Sequence, residues 1–360
     1  MEHNKICLVI PSLQAGGMER VMSELLNNFS KDKSLRIHLI LYGIKRDVFY
    51  PLPSEVVLHK PSFLFNNRIR VFSTIRTLIY LRREIKRINP RSVLSFGEVW
   101  NNFVLLALYG TKIPVVVSDR CQPNKSLGRF HDFLRRQLYR HAKSIVCQTQ
   151  LAKEIFEISI GPLNYCVIGN PIRQSEILNV AKGDRIILSV GRLIDTKNFN
   201  QLISIFASIA SAGWKLVIVG DDVQKQQNKI KLEKQIIELG LQGKVILAGK
   251  QVDVESYYRN ASIFAFTSIS EGFPNVIGEA MSAGLPVVSY DCVAGPADLI
   301  VNEETGFLIP LHNQQVFAQK LESLMLDTSL RKKMGEKAIS RMLKFESKQI
   351  SDQFLEVLLQ

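Results

Sequence analysis

ASIFAFTSISEGFPNVIGEAMSAGLPVVSY, residues Ala261–Tyr290, reads as strand, loop, short helix, loop and strand. Two short β-branched and aromatic runs separated by a helix-period segment make one βαβ unit, which forces the two strands to run parallel. Glu271 lies in the loop after the first strand. Glu279 follows eight positions later, between one and two turns into a helix expected to start near Pro274. The backbone N–H groups of Phe273, Asn275 and Val276 open that helix, where free donors and the helix dipole favour a phosphate or a developing oxyanion. The segment therefore predicts an anion cradle with hydroxyl-binding acids beside it. For an isolated glutamate pair the plainer reading is two solvated charges at a helix edge.

The same alternation extends outward through the chain. Strands are expected at residues 5–10, 36–41, 56–58, 92–95, 115–118, 144–147 and 165–168, then again at 185–190, 215–219, 245–248, 263–266, 286–289 and 306–309. Two such series make an α/β chain of two Rossmann-like, doubly wound domains, and 360 residues is the right length for two. Asn170-Pro171 and an aperiodic polar stretch place the linker at 171–184. It separates an N-terminal domain, 1–170, from a C-terminal domain, 185–342. Residues 343–360 are expected to form a helix that packs back towards the N-terminal domain. In doubly wound sheets ligands sit beyond the carboxyl ends of the strands, so two domains face to face would hold a site in the cleft between them.

Composition excludes several classes. At 46% hydrophobic and 22% charged the chain is an ordinary globular one, and its apolar stretches fall short of the ~18 residues of a membrane span. The run Ile6–Ile10 ends at Pro11 without a small-residue cleavage site, which fits a first strand better than a secretory signal. Five scattered cysteines without a CxxC argue against a disulfide framework or a zinc site.

The formal charge of +13 is unevenly spread. Residues 1–180 hold 26 lysines and arginines against 13 acids, whereas the second half is balanced at 20 and 20. Within the basic half, Arg68–Arg87 (RIRVFSTIRTLIYLRREIKR) has a helical period, with Val71, Ile75, Leu78 and Ile85 on one side and Arg76, Tyr80, Arg83 and Arg87 as a stripe on another. Arg129–Lys143 is similar in character, with Arg135, Arg136 and Arg140. Guanidinium stripes beside apolar residues suit anionic lipid headgroups or a diphosphate, and a solvated basic face is the alternative.

SEGFPNVIGEAMSAGLPVV, with its Glu271-x7-Glu279 pair, resembles the signature of glycosyltransferase family 4, retaining nucleotide-sugar transferases of the GT-B fold. ICLVIPSLQAGGMERV is similar to that family's first strand and Gly-Gly loop, SVGRLIDTKNF to its diphosphate site, and IGNPI to its interdomain crossover. The resemblance implies that Arg192 and Lys197 grip the donor diphosphate, offsetting charge on the departing nucleotide without a metal or other cofactor. It implies that Glu279 takes the two ribose hydroxyls, that Glu271 holds hydroxyls of the transferred sugar, and that Gly16 and Gly17 let backbone approach the phosphates. Phe273, Pro274, Asn275 and Val276 would complete the donor site. Two departures stand out. Ala294-Gly295-Pro296-Ala297-Asp298 replaces the Gly-Gly-x-Pro-Glu of many relatives, and Ser95–Asn101 lacks the histidine that many place near the reacting sugar. Glu98 or Asn101 would then contact the acceptor.

Val117-Ser118-Asp119-Arg120, with Pro123 and Asn124, is also similar to relatives that build lipid-linked amino-sugar glycans. The implied partners are a UDP-sugar, a polyprenyl-diphosphate-linked saccharide and an anionic membrane reached through the N-terminal domain by Arg76, Arg83, Arg87 and Arg120, with no nucleic acid. The implied location is cytoplasmic, peripheral on the inner face of the cell membrane. A GT-B sugar-nucleotide epimerase and a basic nucleic-acid-binding protein are the competing readings.

Overall fold

A computed structural model describes residues 4–14, 16–44, 47–174, 184–209, 212–222 and 227–360. Of the linker expected at 171–184, residues 175–183 lie outside the described residues. The chain divides into two compact units, Met1–Pro171 with Ser347–Gln360, and Ile172–Glu346.

Unit 1 is built on seven strands: β1 (Asn4–Ile10), β2 (Leu35–Leu41), β3 (Val57–His59), β4 (Ser92–Phe96), β5 (Val115–Ser118), β6 (Ser144–Cys147) and β7 (Tyr165–Val167). Their order is β3-β2-β1-β4-β5-β6-β7. Every pairing is parallel, with Leu8 in register between Leu39 and Leu94. Helices cover both faces of such a sheet, so its central strands read as unbroken apolar runs; Ile6–Ile10 and all of β4 are buried. The last helix, Ser347–Leu359, belongs to this unit. Ser92 Oγ donates to Leu358 O at 2.7 Å, the Asn28 amide donates to Ser347 Oγ at 2.7 Å, and Phe354 packs 6.0 Å from Phe96.

Helix Arg70–Ile88 corrects one expectation. Its buried side is Ser73, Thr77, Leu81, Ile85 and Ile88, while Val71, Phe72 and Ile75 are 75%, 61% and 50% exposed. Small hydroxyl residues face inward because their hydroxyls bond locally: Thr77 Oγ1 donates to Ser73 O and Ser73 Oγ to Asn66 O. Apolar residues occupy both the buried side, through Leu81, Ile85 and Ile88, and an exposed sector of Val71, Phe72, Ile75 and Ile79. Asn89, at φ 50°, closes the helix in the left-handed conformation that asparagine tolerates, and Pro90 follows.

Unit 2 carries β8 (Ile186–Val190), β9 (Lys215–Val219), β10 (Val245–Gly249), β11 (Ile263–Phe266), β12 (Val287–Tyr290) and β13 (Gly306–Ile309), ordered β10-β9-β8-β11-β12-β13 and again parallel. Strand residues alternate between two core layers. Ile187, Leu216, Ile218 and Val288 face a layer with Phe206 and Phe317, while Leu188, Val217, Phe264 and Val287 face one with Ile277 and Met281. Both sheets reverse their strand order between the first and fourth strands, β1 and β4 in one and β8 and β11 in the other. Each domain is therefore Rossmann-like, with its ligand-binding crevice at that reversal.

Candidate active site

The reversal point of unit 2 brings together residues 74 positions apart. The loop after β8 carries Arg192 and Lys197, the loop after β11 carries Glu271, and Lys197 Nζ lies 2.5 Å from Glu271 Oε1. Both side chains are largely buried. Ser268 Oγ also reaches Glu271 Oε1 at 2.5 Å, and Lys197 Nζ stands 5.2 Å from the centre of the Phe266 ring. The two loops are stitched through backbone. Ile269 N donates to Thr196 O at 2.9 Å, and Thr267 Oγ1 donates to Lys197 O and Asn198 O. Such bonds hold the cation and the carboxylate in place before any ligand arrives. Ser268 and Thr267 were not singled out from the sequence; a hydroxyl three residues before the glutamate, at a strand end, was the available signal.

Arg192 is exposed, and the backbone next to it is fixed by Leu193 N donating to Asp221 O at 2.9 Å. Gly220 makes this turn possible: at φ 150° a Cβ there would fall 1.8 Å from Gly191 O. The pair Arg192 and Lys197 thus presents two cations after strand β8, one exposed and one held by a carboxylate.

Helix Asn275–Ser282 begins immediately after Pro274, one residue from where the sequence placed it. Its opening is less rich in donors than expected, because the Asn275 N–H already donates to Phe273 O at 3.0 Å. The Phe273 ring is buried in the core against Phe345, leaving only its backbone to face a ligand. Pro274 is buried against Gly295, whose φ of 116° and lack of a Cβ permit the contact. Ala294 next to it holds φ 61°, so the loop that departs from the Gly-Gly-x-Pro-Glu pattern keeps a left-handed residue without the glycine. Glu279 is half-buried on the same helix and accepts the Tyr258 hydroxyl at Oε2, 3.0 Å away.

Gly16 and Gly17 lie in unit 1 at the start of helix Gly17–Phe29. Gly16 has extended backbone, its N–H meets the Tyr50 hydroxyl at 3.4 Å, and a Cβ there would strike the Glu19 carboxylate. A larger residue at this position would have to displace the Glu19 side chain.

The structure gives Asn101 and Glu98 a different task from the acceptor contact expected of them. Asn101 is 0% exposed, and its amide donates to Ser118 O and Asp119 Oδ1. The Glu98 carboxylate accepts the backbone N–H groups of Arg120 and Cys121 at 2.5 Å. Both residues therefore shape the loop after β5. Arg120 turns inward as well. Its guanidinium lies 3.9 Å over the Phe96 ring, donates from Nη1 to Asn170 Oδ1, and finds no partner for Nε or Nη2. Burial lowers its pKa to about 9, against the opposing pull of Glu98 and Asp119. Burial, helped by Glu98, raises the Asp119 carboxyl to about 7.

On helix Arg70–Ile88, Arg76 and Arg83 are exposed, with Arg76 stacked 4.1 Å over Phe63. Arg87 is already paired with Glu84 at 2.5 Å, and Arg82 caps the helix Glu98–Leu108 through Ala107 O and Tyr109 O. Among the described residues no group of three His, Cys, Asp or Glu side chains is placed to hold a metal ion, and no helix is long and apolar enough to cross a membrane.

The family model described as Glycosyl transferases group 1 matches residues 172–341. The amylovoran biosynthesis glycosyltransferase AmsD of Erwinia amylovora is 27% identical over 350 residues, 93% of each chain. A Campylobacter jejuni protein is 31% identical over 375 residues, 99% of each chain; it is named N-acetylgalactosamine-N,N'-diacetylbacillosaminyl-diphospho-undecaprenol 4-alpha-N-acetylgalactosaminyltransferase. Among solved structures, HepE from Anabaena in complex with UDP superposes with a TM-score of 0.83 at 19% identity, covering 98% of this chain and 99% of that one. The lipopolysaccharide outer core galactosyltransferase WaaB superposes with a TM-score of 0.78 at 20% identity, covering 98% of each. With these relatives spanning its whole length, the chain belongs to the group 1 glycosyltransferases and has their GT-B fold of two Rossmann-like domains.

Proposed function

We propose that this glycosyltransferase moves a hexose or N-acetylhexosamine (GalNAc, GlcNAc, Gal or Glc) from a UDP-sugar to a polyprenyl-diphosphate-linked saccharide, in the assembly of a surface glycan. The observation that carries the reading is the Lys197–Glu271 pair at the strand reversal of unit 2, with exposed Arg192 beside it. Two cations at a strand end suit a diphosphate, and an acid held against one of them suits sugar hydroxyls. The names of the relatives favour the same chemistry, through a diphospho-undecaprenol-linked substrate in one and amylovoran biosynthesis in another.

In this reading Arg192 and Lys197 stabilise the charge that grows on the β-phosphate as the bond from the sugar C1 to the diphosphate oxygen breaks. The acceptor hydroxyl forms its bond to C1 on the face the diphosphate leaves, and its proton passes to the departing oxygen. Configuration is thereby retained with no covalent enzyme intermediate and no metal. Glu279 takes the ribose hydroxyls and Glu271 those of the sugar.

The acceptor would be met at an anionic membrane. Ile69, Val71, Phe72, Ile75 and Ile79 are exposed on or beside helix Arg70–Ile88, and Phe130 and Phe133 on helix Arg129–Leu138. Arg76 and Arg83 accompany the first group. Apolar side chains that enter the headgroup boundary, ringed by arginines that stay at the phosphates, make a peripheral binding surface.

The test is UDP release from a panel of UDP-sugars, with and without a polyprenyl-diphosphate-linked saccharide and in the presence of a chelator. Acceptor-dependent release from one donor supports the proposal and names the sugar. UDP binding without release to any acceptor would favour an epimerase.

A further inference from the structure

We propose that Tyr258 is a positioning residue for nucleotide recognition, holding the Glu279 carboxylate in the orientation that receives the ribose hydroxyls. The inference rests on the reading of Glu279 as the ribose-binding residue and assigns a new partner to it.

Tyr258 lies in the short helix Glu255–Asn260 that leads into β11, and it is 5% exposed. Its ring packs in the core layer, 5.9 Å from Phe264, so the aromatic body is explained by burial. The hydroxyl is not explained that way. A phenylalanine would fill the same space without a polar group to satisfy, whereas a buried phenol needs a partner. That partner is Glu279 Oε2 at 3.0 Å.

Glutamate has three side-chain torsions and loses most of its rotamer freedom when fixed, a cost otherwise met when the ligand binds. A donor from the core fixes the carboxylate in advance, so the cost is met on folding. Each carboxylate oxygen accepts two hydrogen bonds. Tyr258 takes one site of Oε2 and so fixes the plane in which the carboxylate meets the adjacent hydroxyls of a ribose. The chemical class recognised is a nucleotide with an intact vicinal diol, and Tyr258 acts on that feature alone, through Glu279.

The test is calorimetric titration of the full chain, wild type and Tyr258→Phe, with UDP and with 2′,3′-dideoxy-UDP. The variant should bind UDP about 5- to 10-fold more weakly, in keeping with the loss of one hydrogen bond to a charged group, while dideoxy-UDP binds both proteins alike. In turnover the same variant should raise KM for the UDP-sugar and leave kcat unchanged. Phe264→Leu, which disturbs the packing of the ring and spares the hydroxyl, should leave the ratio of the two affinities as in the wild type.

Equal weakening of both nucleotides by Tyr258→Phe, failure of that variant to bind either one, or a shifted ratio in Phe264→Leu would assign Tyr258 a packing role and overturn the proposal. An unchanged UDP affinity would overturn it while leaving the donor reading intact. A wild-type protein that binds no UDP would instead remove the donor reading, and the inference with it.

Discussion

Lys197 Nζ and Glu271 Oε1 are 2.5 Å apart, joining the loops after two adjacent strands, β8 and β11, across the strand reversal of the second sheet. Each partner leaves the other without its counterion when removed. Lys197→Ala should cost about 100-fold in turnover through lost stabilisation of the leaving group, and it should also lower stability because Glu271 stays largely buried. A double-mutant cycle with Glu271→Gln, read by denaturant unfolding, should show the two effects to be non-additive.

Arg192 and Glu279 separate turnover from binding. Arg192 is exposed, so Arg192→Ala should reduce kcat by about 100-fold or more with an unchanged melting temperature. Glu279→Ala should mainly raise KM for the UDP-sugar. Steady-state kinetics of both variants with one donor decide the matter, and wild-type activity in both would remove these residues from the site.

Asn101 is expected to act on stability rather than on acceptor recognition. Its amide donates to Ser118 O and Asp119 Oδ1 inside the first domain. Asn101→Ala should destabilise the fold by about 1–3 kcal/mol, measured by denaturant unfolding, with KM for the acceptor unaltered in the folded fraction.

The His38–His59–Glu84 chain predicts a pH dependence. His38 Nδ1 lies 2.8 Å from His59 Nε2, and His59 Nδ1 lies 2.7 Å from Glu84 Oε1. Burial, then the charges of His59, Arg36, Lys5 and Arg87, lower the His38 pKa from 6.5 to about 4. The unfolded chain therefore binds this proton more readily, and stability is lost as pH falls from about 6.5 towards 4. Asp119, raised to about 7, has the opposite slope, losing stability as pH rises from its usual 3.8. His38→Gln should remove only the first contribution. Its melting temperature should fall less steeply than that of the wild type between pH 6.5 and 4; an identical slope would exclude His38 as the source.

If helix Arg70–Ile88 meets an anionic membrane as proposed, Arg83→Glu should weaken binding to anionic vesicles by about 25-fold, a change of two charges at about 1 kcal/mol each. Phe72→Ser should weaken it at any salt concentration, whereas the Arg83 effect should fade as salt rises. Co-sedimentation at low and high salt separates the two, and binding insensitive to both substitutions would place the surface elsewhere.

The two parallel sheets were legible in the sequence because buried parallel strands leave unbroken apolar runs, and Val115–Ser118 and Ile263–Phe266 fall where those runs predict. That Lys197 and Glu271 belong to one site was legible only as a resemblance of motifs, and their direct pairing was not legible at all, since no local pattern links residues on different loops. Side-chain direction was less accessible. The period of Arg70–Ile88 predicts a helix correctly and puts Ile85 on its apolar side, yet the inward face also includes Ser73 and Thr77, whose local hydrogen bonds are invisible to a hydrophobicity count. Glu98 and Asn101 posed a similar difficulty, since a polar residue in the first turn of a helix after a strand reads alike whether it faces a ligand or the loop it supports.

The last helix closes the first domain, and this sets an order on biogenesis. Ser347–Leu359 packs beside Ser92, Phe96 and Asn28, so the domain begun first in synthesis lacks one of its helices until residues made more than 170 positions after Pro171 have emerged. The second domain, continuous from Ile172 to Glu346, has no such wait. On the ribosome the domain continuous in sequence is therefore the first of the two that can be completed, and the apolar surface reserved for Phe354 stays uncovered until residues 347–359 have been made.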